Sequence, residues 1–234
     1  MIKYAVFDLD GTLAPYDAAT DRADIALLKD IENKGVQIVI CSGKPVFYSC
    51  GFLRQTGLKE PIIIGENGAE IQFGYKLPPS FFYHMPYSEQ AKESLHFFYK
   101  KIKEAIPDMW FQPNMVELSP FPKSREEFRI IDDIIQNNRE HIQDIHIFKY
   151  FDCYDFIPMN INKGEALRFL SQKLNIKPDE MISVGDSQND AGMFAYTGDS
   201  ISIGMGEKST AKQDVSTLAK ALEIIYNEIK KDEL

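Results

Sequence analysis

The sequence predicts an α/β protein, a doubly wound parallel sheet interrupted by a smaller α+β unit. Three observations carry that expectation. Short apolar runs alternate with helix-period segments as far as Ile64, and the same alternation resumes after Asn162. The stretch between them is richer in aromatics and patterned differently.

Ile2 to Leu9 reads as a buried strand that stops at the turn-forming Asp10-Gly11. Residues 21–34 carry Ile25, Leu28 and Ile31 at helical spacing, with Thr20 or Asp21 as N-cap and Gly35 just past the end. Val36 to Cys41 is a second strand. Ser42-Gly43-Lys44-Pro45 then opens a helix, with Pro45 at its first position, that closes near Gly57. Ile62 to Ile64 is a third strand, so the order is that of repeated βα units with right-handed connections. Glu66-Asn67-Gly68-Ala69, the alternation through Phe73 and then Pro78-Pro79 suggest a hairpin-like exit from the sheet.

The insert is expected at residues 77–156, with residues 1–76 and 157–234 forming one interrupted domain. Two amphipathic helices run through Ala91, Leu95, Phe98, Ile102 and Ala105, and through Phe128, Ile131 and Ile135. Strand-like runs at 81–84, 109–111, 115–118, 145–151 and 154–157 surround them. Phe81, Phe82, Tyr83, Trp110 and Phe111 are read as core of this small layer. After Asn162 come a helix with Ala166, Leu167, Leu170 and Leu174 on one face, and a strand from Met181 to Val184 that ends at Gly185-Asp186. A further strand at 201–205 and a terminal helix through Leu218, Leu222, Ile225 and Ile229 complete the pattern.

Composition narrows the function classes. A formal charge of -9 with scattered basic residues repels a nucleic-acid backbone over most of the surface. No stretch approaches the roughly 20 apolar residues of a membrane-spanning helix. Cys41, Cys50 and Cys153 form no CxxC pair and fit a reducing compartment, and the four histidines lack zinc spacing. The N-terminus has no secretory pattern, so the terminal Lys231-Asp232-Glu233-Leu234 is read as a chance match to an ER-retention signal and a cytoplasmic location is expected. Oligomeric state is not encoded in any readable pattern.

Acidic and polar residues gather at the expected C-terminal ends of strands: Asp8 and Asp10, then Ser42, then Asp186 with Asn189 and Asp190. In open parallel sheets that edge is where ligands bind. Asp8 and Asp10 are two positions apart, so on extended backbone both can face one side, while Gly11 permits the turn. With Asp186 nearby, three carboxylates would repel one another unless a hard divalent cation lay between them, and oxygen ligands suit Mg2+. A carboxylate such as Asp8 can attack phosphorus, and Asp10 could then serve as acid and base if its surroundings raise its proton affinity. Lys163 at a helix start, like Ser42 and Gly43, offers a cation or backbone N–H groups to an anion.

DxDGT after an apolar strand, Ser-Gly after the next, Lys before a helix and GDxxND after another strand together resemble the ordered motif set of the haloacid dehalogenase-like hydrolases. Met193, Gly204-Met205-Gly206 and Asn67-Gly68-Ala69 look like the Cof-type or IIB branch. The resemblance implies a Rossmann-like core with a cap that closes over the site and chooses the leaving group. It implies Asp8 as nucleophile, Asp10 as acid/base, and Ser42, Gly43, Lys163 and Asn189 as phosphate binders. Asp8, the Asp10 carbonyl and Asp186 would hold magnesium, and Asp190 would orient Lys163 or a metal-bound water. Many relatives carry Thr-Gly-Arg where this chain has Ser42-Gly43-Lys44, which leaves the role of Lys44 open.

The implied activity is hydrolysis of a small phosphorylated metabolite, a sugar phosphate first. Two alternatives stand beside it: a phosphomutase of the phosphomannomutase type, and a module that binds metal or ligand without turnover.

Overall fold

The computed structural model describes residues 1–232, so Glu233 and Leu234 of the terminal tetrapeptide lie outside the described residues. In chain order the elements are β1 (Tyr4–Phe7), α1 (Arg22–Asn33), β2 (Gln37–Cys41), α2 (Val46–Thr56), β3 (Ile62–Gly65), β4 (Glu70–Phe73) and β5 (Phe81–His84). Then follow α3 (Glu89–Ala105), β6 (Trp110–Phe111), β7 (Pro120–Phe121), α4 (Arg125–Asn137), β8 (Ile145–Lys149) and β9 (Tyr154–Pro158). Last come α5 (Lys163–Leu174), β10 (Met181–Gly185), α6 (Ala191–Tyr196), β11 (Asp199–Ile203), β12 (Gln213–Val215) and α7 (Leu218–Asp232). The chain divides into two compact units, residues 1–84 with 162–234, and residues 85–161.

The larger unit holds one sheet in the order β12-β11-β10-β1-β2-β3-β4-β5. Its first six strands are parallel, β4 runs against them, and β5 pairs antiparallel with β4. The central strands are buried along almost their whole length, which explains their near-continuous apolar sequences. Alternation still sorts their faces. Ala5, Phe7, Ile38, Ile40, Ile182 and Val184 join residues of α1, α2 and α7 in one core. Ser183, one step out of phase, points the other way and bonds Thr197, which caps α6, at 2.7 Å. Each fully buried aliphatic or Phe side chain stabilises this arrangement by about 1.5–3 kcal/mol.

Local signals set the helix ends. Asp21 caps α1 through the Ala23 N–H at 2.8 Å, and Asn162 caps α5 through the Glu165 N–H at 3.0 Å. Pro45 is the N-cap of α2, one position before the expected first turn, and Gly57 ends that helix at φ 75°.

The smaller unit packs α3 and α4 on the β8–β9 hairpin. Ala91, Leu95, Phe98 and Ile102 of α3 meet Ile131, Ile145, Tyr154 and Phe156 in its core. The insert boundaries differ from the expected 77–156. Phe81–His84, read as insert, pairs antiparallel with β4 and extends the main sheet. The cause is the turn after β3, which reverses the chain and gives β4 a free edge that β5 covers. The expected strand at 115–118 is reduced to a single bridge between Leu118 and Phe156, and Trp110 pairs with Phe121 instead of a residue of any expected strand. The reading of the five aromatics as core of the small layer is corrected: Tyr83 is partly buried and stacks on Phe169 of the larger unit at 4.5 Å, and Phe82 and Trp110 are exposed.

Candidate active site

Strands β10, β1 and β2 are adjacent and parallel, with Phe7 level with both Val184 and Ile40. Asp8, Ser42 and Asp186 therefore leave the sheet at the same edge. Lys163 reaches that edge from the first position of α5. Its Nζ donates to Asp8 Oδ1 at 2.6 Å and to Asp190 Oδ1 at 2.5 Å, and all three side chains are buried or nearly so. The expected convergence of residues distant in sequence is thus seen for Asp8, Lys163, Asp186 and Asp190.

Asp190 is held at both oxygens. Its second oxygen accepts from the backbone N–H groups of Asp186 at 2.9 Å and Ser187 at 3.0 Å. This ties the loop after β10 to Lys163, and Gly185 is required beneath it, because a Cβ there would lie 2.4 Å from Asp190 Oδ2. Asp186 is oriented by Thr12, whose hydroxyl donates to Asp186 Oδ1 at 2.9 Å. Gly11, at φ 86°, leaves room for the same carboxylate, since a Cβ would meet Asp186 Oδ2 at 2.2 Å. Ser42 Oγ accepts the Lys44 N–H at 3.1 Å, and Asn189 Nδ2 donates to Asn67 Oδ1 at 3.2 Å.

Electrostatics follow from this crowding. Burial, reinforced by Asp190 and Asp186, pushes the Asp8 carboxyl well above the usual range against the pull of Lys163. Asp186 is raised by burial and by Asp190, with Thr12 opposing. Burial alone would strip the Lys163 proton, but Asp190 and Asp8 hold the ammonium firmly charged. Burial also raises Asp10, despite the nearby charges of Lys44 and Lys163.

Asp8, Asp186 and Asp190 each bring a carboxylate oxygen within 4.8 Å of the others. Three carboxylates crowd around one ammonium, which raises the cost of ionising them together, and the donors are all oxygen. A hard divalent cation fits that crowding and that chemistry. Both Asp190 oxygens are already engaged, so Asp8 and Asp186 are the carboxylates best able to hold it.

A family model described as sucrose-6F-phosphate phosphohydrolase matches residues 3–231. The chain belongs to this family. It is a haloacid dehalogenase-like hydrolase of the IIB branch and a phosphoric monoester hydrolase. It is 24% identical over 217 residues to a phosphoglycolate phosphatase of Methanoculleus marisnigri, covering 87% of this chain and 84% of that one. Among solved structures, a Thermotoga maritima protein superimposes with a TM-score of 0.77 at 18% identity, over 97% of both chains. A structure described as a haloacid dehalogenase subclass IIB sugar phosphatase gives 0.72 at 18% identity, over 96% of this chain and 98% of that one. The reading as a module without turnover is overturned by the family match.

Two side chains of this phosphatase carry more of the site than their sequence suggests. Thr12 lies inside DxDGT but has no separate signal of reaching Asp186, 174 positions away. Asn67 was legible only as part of a turn and a branch signature, yet its amide meets Asn189.

Proposed function

We propose that this hydrolase cleaves a small phosphorylated metabolite, with sugar phosphates first among them, in a magnesium-dependent reaction through an aspartyl-phosphate on Asp8. The observation that carries it is the buried Asp8–Lys163–Asp190 chain, with Asp186 beside it. Lys163 fixes one Asp8 oxygen, so the carboxylate is oriented while its other oxygen attacks phosphorus. Ser42, Gly43, Lys163 and Asn189 bind the phosphoryl oxygens. The bond to the leaving alcohol breaks as the Asp8–phosphorus bond forms, and Asp10 gives its proton to the departing oxygen. The raised proton affinity of Asp10 supports that role. In the second half Asp10 takes a proton from water, the water oxygen attacks phosphorus, and the Asp8–phosphorus bond breaks to release inorganic phosphate. Asp8, Asp186 and the Asp10 carbonyl would hold magnesium, which when bound would supply Lewis-acid withdrawal of charge.

The family description and the sugar phosphatase among the structural neighbours support a phosphorylated sugar, and the phosphoglycolate phosphatase relative names a smaller competitor. On the family resemblance we assign the choice of leaving group to the inserted unit, and the free Cys41, Cys50 and Cys153 support a cytoplasmic site of action. The test is phosphate release from a panel of sugar phosphates, phosphoglycolate and nucleotides, with magnesium and with chelator. Sugar phosphates should give the highest kcat/KM and chelator should stop every reaction. Undiminished turnover in chelator would reject the metal requirement, and preference for phosphoglycolate would reject the substrate class.

A further inference from the structure

Between β3 and β4 the backbone enters the left-handed region three times in succession, at Glu66 (φ 49°), Asn67 (φ 51°) and Gly68 (φ 117°). Only glycine, and to a lesser degree Asn and Asp, tolerates that region, and such strain persists where the surroundings enforce it. An Asn-Gly turn between antiparallel strands is a common hairpin solution that ordinarily faces water. Here Glu66 and Asn67 are buried, so hairpin chemistry does not explain the turn.

What surrounds it is the phosphate side of the site. The Asn67 N–H donates to the Ser42 carbonyl at 3.0 Å, and the Glu66 N–H donates to the Lys44 carbonyl at 3.0 Å. Gly68 lies so close to Asn162, the residue before Lys163, that a Cβ would sit 2.5 Å from its carbonyl oxygen. The Asn67 carboxamide packs on Gly43, within 3.2 and 3.3 Å of where a Cβ would stand, and accepts from Asn189 Nδ2. One short turn thus touches the loop after β2, the start of α5 and the loop after β10.

We propose that Asn67 is a positioning residue that sets the mutual placement of Ser42–Gly43 and Asn189, and so the fit of the phosphoryl oxygens. This rests on the assignment of Ser42, Gly43, Lys163 and Asn189 to phosphate binding. Asn67 acts through those groups and takes no proton or bond in the reaction.

The test is Asn67→Gly, which keeps the left-handed backbone free of strain and removes only the carboxamide. The melting temperature should change little, because relief of the left-handed backbone offsets the lost buried hydrogen bond and the added chain entropy. In the same protein kcat/KM should fall about tenfold to a hundredfold, and inhibition by inorganic phosphate should weaken in parallel, with kcat affected less than KM. The double variant Asn67→Gly/Asn189→Ala should lose less than the product of the two single losses, because part of the Asn67 effect runs through Asn189 and the rest through Ser42–Gly43. Wild-type kcat/KM and phosphate inhibition in Asn67→Gly, fully multiplicative effects in the double variant, or a loss of activity that only tracks a fall in melting temperature would each overturn the proposal. Ser42→Ala and Asn189→Ala separate the two layers. If both keep wild-type phosphate inhibition, the phosphate-site assignment fails and takes this proposal with it. If both lose it while Asn67→Gly does not, only the role of Asn67 falls.

Discussion

Lys163 is a buried cation between two carboxylates, and its removal leaves Asp8 and Asp190 facing each other without it. Breaking a buried pair in this way costs more than the pair is worth when intact, about 3–5 kcal/mol. Lys163→Met, which keeps the stem and deletes the charge, should lower unfolding free energy by about that amount in urea titration and abolish measurable phosphate release. An unchanged urea midpoint would show that the two carboxylates find another counter-charge. The residues of this chain were legible in the sequence because each stands at a strand end or a helix start, positions that are marked by turn and cap chemistry. Asn67 and Thr12 were less so. Their parts in the site depend on which distant loop each one meets, and that is decided by strand order.

At the scale of elements, the close approach of the β1 and β10 loops depends on one missing side chain. Gly11 combines φ 86° with a carboxylate 2.2 Å from where a Cβ would sit. Gly11→Ala should therefore cost more than the roughly 1 kcal/mol of an ordinary glycine replacement. It should also displace Asp186, so activity falls more steeply than stability when both are measured on one preparation. Equal residual activity and stability would mean that the loop relaxes without moving Asp186. The βα alternation was readable from apolar runs, caps and turn residues. Where the reading failed, the pattern was shared by two structures: an alternating aromatic run such as Phe81–His84 serves equally as a strand of the insert or as an edge strand of the main sheet. Only the free edge of β4 decides between them. Likewise Met115–Leu118 has strand composition but makes only one bridge, from Leu118 to Phe156.

For the molecule as a whole, three crowded carboxylates that a cation would relieve make folding and cation binding favour each other. A ligand that binds only the folded state stabilises it by about 2.7 kcal/mol at a hundred times its Kd. Magnesium should therefore raise the melting temperature of the wild-type protein, and Asp186→Asn should lose most of that increment. An equal shift in both proteins would place the cation elsewhere. The covalent intermediate on Asp8 leaves its mark on the stereochemical course at phosphorus. A phosphorothioate monoester made chiral with oxygen isotopes is hydrolysed in isotopically labelled water, and the configuration of the released thiophosphate is read. Two successive in-line displacements, first by Asp8 and then by water, predict net retention of configuration. Net inversion would mean that water attacks the ester directly and that Asp8 never carries the phosphoryl group.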